Sequence, residues 1–584
     1  MRHKKLKLSA VLLLGLGLTG LHAQEGINIP SGGIVTAAGS AFITINNGGF
    51  VNNGTYTKAT ETVVFTGSSA KTISGNNTVF NNLSVSNTGG ITTQLGLLTA
   101  NNLTLGSGSK FTIVPAKAVT VSGSTTLNGT ECLEIKSDAT AIGSFIDNGF
   151  SGAGTAKVER WVSTTNPSTP GTRWEYVSSP IALALSDIYT SATHKLYYAN
   201  EPTNSWLYFT YASPQNMIVM QGYTRKYVST DADGDMVKTY SGTLNTGAAV
   251  PITIGLTGST ISTVFNGWNL VGNPYPSAMD WNASGWTKTN LDNAIYFRSN
   301  GNYGSYISGV GTNGGTQYIP PMQAFWVRVT SGQTTGTLSC NNNVRVHNAH
   351  NIYKKLSSSD NTLHITATNN TNGLTDDTYI LFNPNATDGF DGQYDAYKMF
   401  AADSIYPQTY TNNGNDNIAI NSLSDLSGER TVPLGFKTSI SGQFTFTADM
   451  VSSFTVNGNT VYLEDLQTGA FQNLSSNSTY QFTSGVTAGL NRFLLHFNPS
   501  ITGITESSEN NISIFGYNNE LHITSMCMLD GDVSIFDLLG QVITKKHISG
   551  TNADVISIDT KSAIYVVRYT SSVQTITKQI FINK

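Results

Sequence analysis

Residues 81–85 read Asn-Asn-Leu-Ser-Val and residues 101–105 read Asn-Asn-Leu-Thr-Leu, so one short pattern returns after twenty positions. Residues 119–121, Val-Thr-Val, continue this rhythm less closely. Asn-Asn, Asn-Gly and Gly-Gly pairs, which favour turns between short strands, break up the surrounding sequence. Because a period of about 20 residues is typical of one coil of a β-solenoid, we predict a solenoid-like repeat region over residues 24–150. A β-sandwich built from similar hairpins is the alternative.

The composition of the whole 584-residue chain favours strands and turns over helices. Only 12% of residues are charged, about half of the average of about 25% for globular proteins. The chain has 26 Tyr, 25 Phe and 7 Trp, which excludes a disordered protein because disordered chains lack aromatic residues. A formal net charge of −4 leaves no basic footprint for nucleic acid. We therefore predict an all-β protein with several packed cores.

Two further β-domains are predicted in the middle of the chain. Residues 151–350 alternate aromatic and aliphatic residues with Gly, Asn and Pro turns, which predicts a Trp-rich all-β domain. Residues 351–500 alternate apolar and polar positions more regularly, which predicts an antiparallel β-sandwich of about seven strands. Residues 501–511 form a polar linker to the C-terminal block. All seven tryptophans lie in the predicted Trp-rich domain, residues 151–350: Trp161, Trp174, Trp206, Trp268, Trp281, Trp286 and Trp326.

The first 23 residues have the pattern of a secretory signal peptide. Basic residues, among them Lys4 and Lys5, precede an apolar run from Leu8 to Leu21, and Ala23 offers a small residue at a cleavage point. The apolar run is shorter than the about 20 residues that span a bilayer, and nothing later in the sequence is longer. We predict export, with no transmembrane segment in the mature chain.

Three segments near the C-terminus carry a family resemblance. Asp532–Val542 reads DVSIFDLLGQV, Ile564–Val567 reads IYVV, and Lys578–Lys584 reads KQIFINK. Residues 512–584 thereby resemble the type A C-terminal sorting domain of the type IX secretion system, found on exported proteins of the Bacteroidota. The positions that match the sorting signal are Asp532, Val533, Asp537, Gly540, Tyr565, Lys578 and Lys584.

The resemblance implies a route and two kinds of partner. The chain would pass through the periplasm and cross the outer membrane by the type IX secretion machinery. A sortase-like peptidase would then remove the sorting domain. The mature product would be released or attached to the cell surface.

The tryptophan cluster is the first candidate ligand site. Sugar rings stack on exposed aromatic faces while neighbouring polar side chains bind their hydroxyl groups. The alternative is that these rings form the core of a domain with few aliphatic residues. The candidate platform consists of Trp268, Trp281, Trp286 and Trp326 with Asn273 and Asp280.

Three alternating carboxylates suggest a cation site. Asp231, Asp233 and Asp235 surround Gly234, and such carboxylates on a turn can converge on Ca²⁺, which is the one candidate cofactor. The alternative is a solvated acidic turn, since the spacing departs from an EF-hand loop.

Two looser patterns could also hold a metal ion. Asp388, Asp391 and Asp395 form a looser candidate for Ca²⁺. His347 and His350 are three residues apart, and positions three apart on a strand face opposite sides, so we expect polar surface histidines rather than a metal pair.

The motif search leaves binding as the predicted function. The sequence contains no H-E-x-x-H, no G-x-S-x-G and no phosphate-binding loop, so no enzyme is predicted. We predict an exported cell-surface or secreted binding or adhesion protein whose ligand is a polysaccharide or a surface protein. The alternatives are a polysaccharide-active enzyme, whose two carboxylates would be set by the fold, a carbohydrate-binding accessory protein, or a purely structural surface protein.

Overall fold

Short strands separated by turns make up most of the chain in the computed structural model. Strands account for 57% and helices for 2% of the residues, so the predicted all-β fold class is confirmed. The chain divides into two compact units, Met1–Asn498 and Pro499–Lys584. The residues that the structure describes are 20–23, 26–162, 172–192, 194–228, 236–248, 250–258, 265–299, 301–347, 361–401, 405–487, 489–490, 492–499, 512–517, 520–558, 563–572 and 575–582.

Three predicted features fall wholly or largely outside that description. Residues 1–19 of the predicted signal peptide and the predicted linker at 501–511 are not among the described residues. Asp231, Asp233 and Asp235 are also outside them. Within the part of the chain that the structure describes, no helix has the length and apolar character needed to cross a bilayer.

The first region is a β-solenoid of about six turns. Its strands form two long parallel sheets and one short one, each coil contributing a strand to the sheets in turn. The strands are β1 (Gly20–Ala23), β2 (Gly26–Ile29), β3 (Ile34–Thr36), β4 (Phe42–Asn46), β5 (Gly49–Asn52), β6 (Thr55–Thr57), β7 (Thr62–Thr66), β8 (Lys71–Gly75), β9 (Thr78–Val85), β10 (Ile91–Thr93), β11 (Leu97–Leu105), β12 (Phe111–Ile113), β13 (Ala118–Val121), β14 (Thr125–Leu127), β15 (Leu133–Ile135), β16 (Ser144–Ile146), β17 (Phe150–Ser151) and β18 (Ala156–Val162).

The twenty-residue repeat in the sequence is the spacing of the parallel ladder. Leu83 of β9 pairs with Leu103 of β11, and Asn82 pairs with Asn102. Both leucines are buried in the interior between the two long sheets. The Asn102 side chain donates from Nδ2 to Asn82 Oδ1 at 2.9 Å. The repeated asparagine therefore forms a hydrogen bond with the equivalent asparagine on the adjacent coil.

Close coil stacking also explains one of the turn glycines. Gly75 has φ +99°, and a Cβ there would lie 2.2 Å from the carbonyl oxygen of Asn52 on the coil before it. Only glycine fits this corner without strain, because other residues disfavour positive φ and have no room for their Cβ.

The Trp-rich region contains four small antiparallel sheets and contributes one strand to the solenoid. Its strands are β19 (Thr172–Val177), β20 (Leu196–Asn200), β21 (Ser205–Phe209), β22 (Tyr223–Val228), β23 (Met236–Gly242), β24 (Ile252–Thr257), β25 (Trp268–Gly272), β26 (Ala278–Asp280), β27 (Trp286–Thr289), β28 (Ile295–Ser299), β29 (Asn302–Ile307), β30 (Val310–Gly311), β31 (Tyr318–Ile319), β32 (Ala324–Arg328), β33 (Thr335–Cys340) and β34 (Arg345–Val346). Two 3₁₀ turns occupy Ser186–Ile188 and Asn342–Val344.

The solenoid ladder continues past residue 150 and ends on a strand of the Trp-rich region. β18 pairs in parallel with β15, and on its other edge it pairs antiparallel with β23. An uncovered solenoid end would offer free backbone groups to other chains. β23 covers this end, so the two regions share one sheet and one continuous core.

Residues 362–497 form an eleven-stranded sheet that folds back on itself. Phe436 of β40 contacts Phe444 of β41 at 5.0 Å between ring centroids, although several strands separate β40 from β41 in the sheet. β36 and β39 pair in parallel, which the fully antiparallel prediction did not include. The elements are β35 (Thr362–Asn369), β36 (Thr375–Phe382), β37 (Ala396–Tyr397), β38 (Gln408–Asn412), β39 (Asn417–Leu423), β40 (Arg430–Lys437), β41 (Gly442–Asp449), α1 (Ser452–Thr455), β42 (Val461–Asp465), β43 (Ala470–Asn473), β44 (Thr479–Ser484) and β45 (Phe493–Phe497).

The parallel pair follows from the chain path between its two strands. The long connection after β36 includes β37 and β38, both of which pair antiparallel with β39. This connection places β39 between β38 and β36, where it runs in the same direction as β36. Sequence alternation cannot reveal this, because it reports which face a residue occupies and not the direction of the neighbouring strand.

The second unit is a five-stranded antiparallel sheet with its own core. Val533 of the longest strand is fully buried in that core. Its strands are β46 (Ile512–Tyr517), β47 (Glu520–Phe536), β48 (Val542–Ser557), β49 (Ala563–Ser571) and β50 (Thr575–Ile582).

Candidate ligand-binding surface

Three residues of the predicted sugar platform lie in the core. Trp281 is 1% exposed, Trp326 is 3% exposed and Asn273 is 0% exposed. Asn273 donates from Nδ2 to the carbonyl oxygens of Ser277 and Pro320 at 2.8 and 2.9 Å, so its amide holds the backbone together. This corrects the prediction of an exposed platform for these three residues. The large indole rings of Trp281 and Trp326 fill core volume in this domain.

Trp281, Trp286 and Asp280 do lie together. The rings of Trp281 and Trp286 are 4.9 Å apart, and Trp286 Nε1 donates to the backbone oxygen of Asp280 at 2.8 Å. Lys288 places its ammonium 3.7 Å from the centre of the Trp281 ring, and burial lowers the pKa of this lysine to about 8. Trp281 Nε1 and Lys288 Nζ also donate to Asn293, so the polar groups of this cluster are engaged within the domain, which indicates a structural role.

Trp268 lies elsewhere, half-buried between two tyrosine rings. Its centroid is 4.8 Å from that of Tyr296 and 6.1 Å from that of Tyr397. The structure therefore does not bring Trp268 into one platform with Trp281 and Trp286.

A partly exposed aromatic row occupies a different sheet, whose order is β19-β22-β20-β21. We define the aromatic row as Trp174, Tyr197 and Tyr208. Tyr197 and Tyr208 are paired across β20 and β21, with ring centroids 5.7 Å apart. The rings of Trp174 and Tyr197 are 5.8 Å apart. The row thus crosses the sheet from β19 at one edge to β21 at the other.

One half of this sheet face is covered and the other half is open. On the covered half, Tyr176 is buried. Trp206, which is still 38% exposed, contacts the rings of Phe265 at 5.6 Å and Trp326 at 5.9 Å. On the open half, Tyr208 is 48% exposed. The opposite face of the sheet packs Tyr223 into the core that ends the solenoid. The row therefore runs from the half-buried Trp174 and Tyr197 to the exposed Tyr208, on a sheet whose back packs into the core.

The β20–β21 hairpin that presents Tyr208 is held by several hydrogen bonds. Asn200 accepts from the backbone N–H of Thr203 at 3.2 Å. Asn204 Oδ1 accepts from the N–H of Phe265 at 3.0 Å, and buried Glu201 accepts from the N–H of Gly267 at 3.0 Å. These bonds fix the hairpin to the following sheet, so the row is pre-formed and a ligand need not order it.

Sequence reasoning did not single out the row. The segment Ser-Trp-Leu-Tyr-Phe at residues 205–209 is apolar at almost every position, a pattern that suggests a buried strand. Only the sheet order shows that β21 is an edge strand with exposed side chains on both faces. The three aromatic residues among positions 206–209, directly after the turn Glu-Pro-Thr-Asn, could have pointed to it.

The other predicted ion-binding groups serve the fold where the structure describes them. Asp388 accepts from Arg430 Nη1 at 2.6 Å. Asp395 accepts from the N–H groups of Asp391 and Ser422, and burial raises its pKa to about 7. Among the described residues, no group of three or more His, Cys, Asp or Glu could hold a metal ion. The looser Ca²⁺ candidate is thereby corrected.

His347 is not the solvated surface residue that the sequence predicted. It is half-buried, with Nε2 2.6 Å from Thr120 Oγ1 and Nδ1 2.8 Å from Ser144 Oγ. Burial and the neighbouring Arg345 lower its pKa to about 4. His347 therefore joins the Trp-rich region to strands β13 and β16 of the solenoid. His350 lies outside the described residues.

The predicted sorting-signal residues divide between core and surface within the second unit. Val533 and Tyr565 are buried, whereas Asp532 is half-buried and Lys578 is exposed. Asp537 Oδ1 accepts from the N–H groups of Leu539 and Gln541 at 2.9 and 2.8 Å.

That turn closes with Gly540 at φ +83°. The Asp537 carboxylate and the left-handed glycine together form the tight β47–β48 connection. Lys584 lies outside the described residues.

Comparison with known proteins yields one family and several distant structural likenesses. A family model described as Domain of unknown function (DUF8693) matches residues 75–497. No curated protein matches the chain. The chain is also similar to a solved structure named "Biofilm associated protein - BSP domain", with 10% sequence identity, coverage of 73% of this chain and 98% of that chain, and a TM-score of 0.13. A TM-score this low supports no argument about fold or function.

Proposed function

We propose that this chain, which belongs to the DUF8693 family, is an exported surface or secreted binding protein of the adhesion type. The family description names no activity. The proposed ligand is a polysaccharide, which binds on the aromatic row. The observation that carries this proposal is the open half of the four-stranded β19-β22-β20-β21 sheet. There Trp174, Tyr197 and Tyr208 lie side by side. Aromatic rings with an accessible face supply apolar contact to sugar rings, and the tyrosine hydroxyls bind sugar hydroxyls.

The anchoring of the row supports binding rather than incidental exposure. A folded protein exposes many apolar atoms singly, and such side chains need no explanation. Here three rings are contiguous, and the hairpin that carries Tyr208 is pinned through Asn204 to Phe265. A rigid aromatic surface loses little conformational entropy when a ligand binds.

Delivery by the type IX secretion system is part of the same proposal. The support is the sequence resemblance of residues 512–584, together with a second unit that has its own core. Its partners would be the secretion machinery and the sortase-like peptidase. The solenoid would serve as a stalk or contact surface in the mature protein.

The test is retention of the full-length protein on a panel of insoluble polysaccharides, with released reducing sugar measured in the same samples. We expect retention without sugar release, and a loss of at least about tenfold in affinity for a Tyr197→Ala/Tyr208→Ala double variant, since aromatic stacking contributes about 1 kcal/mol or more per ring. Phe471→Ala is the matched control, because Phe471 is an aromatic side chain of similar exposure on β43.

Three outcomes would contradict the proposal. Retention that is unchanged in the double variant would remove the aromatic row as the site. Released sugar would make the protein a polysaccharide-active enzyme. Failure to be retained on any polysaccharide would favour a purely structural surface protein or one that binds another protein.

A further inference from the structure

The aromatic row is accompanied by positive charge. Lys195 places its ammonium 3.6 Å from the centre of the Tyr208 ring. Lys226 of β22 is exposed and pairs in register with Trp174 of β19. Side chains that pair directly across antiparallel strands point to the same face. Both lysines therefore belong to the face that carries the row.

The same register keeps acidic side chains off this face. Glu175 is the next residue after Trp174 and pairs with Arg225, so strand alternation directs both to the opposite face. The residues that the register places on the same face as the row are Trp174, Tyr176, Lys195, Tyr197, Ala199, Trp206, Tyr208, Thr224 and Lys226, of which Tyr176 and Thr224 are buried. Among these described residues the two charged ones are both lysines.

A local excess of positive charge is unusual in this protein. The chain has 36 acidic against 32 basic residues. It therefore has no general excess of positive charge that would attract anions. The Lys195 ammonium is held against the Tyr208 ring by a cation–π contact, which keeps the charge at the level of the aromatic surface. A ligand that stacks on Tyr197 would bring its substituents next to this ammonium.

We infer that the aromatic row takes an anionic polysaccharide, one whose sugar rings carry carboxylate or sulfate groups. The ring of Tyr197 contacts a sugar face, while Lys195, held over the Tyr208 ring, and Lys226 pair with the acidic substituents. This inference rests on the proposed function and names its class of ligand. Exposed ion pairs are individually weak, so the lysines set the preference for charge and the aromatic rings supply the basal affinity.

The test compares polysaccharides that share a backbone and differ only in charge. The full-length protein is titrated with polygalacturonate and with its methyl ester, and with chondroitin sulfate and desulfated chondroitin. Binding is measured at about 50 mM and about 500 mM salt, because screening at high ionic strength weakens exposed ion pairs. We expect at least one acidic form to bind about five- to tenfold more tightly than its less charged partner at low salt, and this advantage to shrink to less than about twofold at high salt.

Variants separate the charges from the rings. A Lys195→Gln/Lys226→Gln double variant should lose the preference for the acidic form while it still binds the methyl ester. Lys437→Gln is the matched control, because Lys437 also places its ammonium over a ring, that of Phe400 at 4.7 Å, far along the sequence from the row. The Lys437 variant should behave as the wild-type protein does.

The results distinguish this inference from the proposed function. Equal affinity for the charged and less charged forms at low salt would overturn the inference and leave a neutral polysaccharide as the ligand. A preference that survives in the Lys195/Lys226 double variant, or one lost equally in the Lys437 variant, would also overturn it. No binding to any of the four polysaccharides would contradict the inference, and unchanged retention of the Tyr197/Tyr208 variant in the broader panel would contradict the proposed function itself.

Discussion

Arg345 and Asp147 form an ion pair in which both side chains are completely buried, with Nη1 of the arginine 2.5 Å from Oδ1 of the aspartate. Arg345 also donates from Nη2 to the backbone oxygen of Phe145 at 2.7 Å and lies 4.5 Å from the centre of the Tyr275 ring. The pair therefore fastens the last coils of the solenoid to the Trp-rich region.

Removal of one member of this pair should destabilise the first unit strongly. We expect Arg345→Ala to lower the free energy of unfolding by about 3–5 kcal/mol, because it leaves the Asp147 charge buried without a partner. Arg430→Ala, which breaks an exposed pair with Asp388, should cost at most about 1 kcal/mol. Denaturant unfolding followed by tryptophan fluorescence measures both. Similar losses in the two variants would contradict the assignment of a buried pair.

His347 should make the first unit sensitive to acid. Its pKa is about 4 in the folded protein, below the ordinary value of about 6.5, so the unfolded chain takes up the proton first. Stability is therefore complete above about pH 6.5 and falls as the pH drops toward about 4, by up to about 3 kcal/mol.

A neutral variant isolates this contribution. Glutamine can keep one donor and one acceptor for Thr120 and Ser144 and cannot be protonated. Melting temperatures of the wild-type protein and of His347→Gln, measured from pH 7.5 to pH 4.5, should diverge as the pH falls, with the wild type losing more. Parallel profiles would show that His347 is not buried as a neutral group.

The prediction of a Ca²⁺ site at Asp231, Asp233 and Asp235 concerns residues outside the described part of the chain and is open to direct measurement. If these carboxylates hold Ca²⁺ at 100 times its dissociation constant, the ion stabilises the folded protein by about 2.7 kcal/mol. Excess EDTA should then lower the melting temperature of the wild type and leave a triple Asp→Asn variant unchanged. If EDTA does not change the melting temperature of the wild-type protein, these three residues do not hold Ca²⁺, and the solvated acidic turn is the correct interpretation.

The sorting function of the second unit predicts a defect in localisation. Deletion of residues 512–584 should leave the protein in the periplasm, because the signal that the outer-membrane machinery reads would be missing. Cell fractionation followed by immunoblotting measures this. Lys546→Gln, at an exposed lysine whose ammonium pairs with Asp554 and not with a matched sorting residue, should be delivered normally. Surface delivery of the truncated protein would remove the sorting proposal.

Local pattern was enough to foresee the solenoid and the strand character of the chain. Leu83 and Leu103 recur at the spacing of one coil and pair directly in the ladder. Alternation along Leu363, Ile365 and Ala367 placed all three side chains in the core. These features depend on residues close in sequence or on a strict period, and a strand's two faces follow from alternation alone.

The placement of the aromatic residues could not be foreseen in the same way. Trp281 and Trp326 are buried, whereas Tyr208 on an apolar strand is exposed. Which face of a strand is covered depends on the sheets that pack against it. A local sequence pattern does not determine how those sheets pack.

Periodicity and composition were sufficient for the all-β class, the repeat and the division into strands and turns, because backbone geometry imposes the same spacing on every coil and every strand. The Arg345–Asp147 pair joins residues 198 positions apart, and Trp174, Tyr197 and Tyr208 become neighbours through strand pairing. Contacts of this kind are set by long-range packing of whole sheets, which brings together side chains that share no sequence spacing.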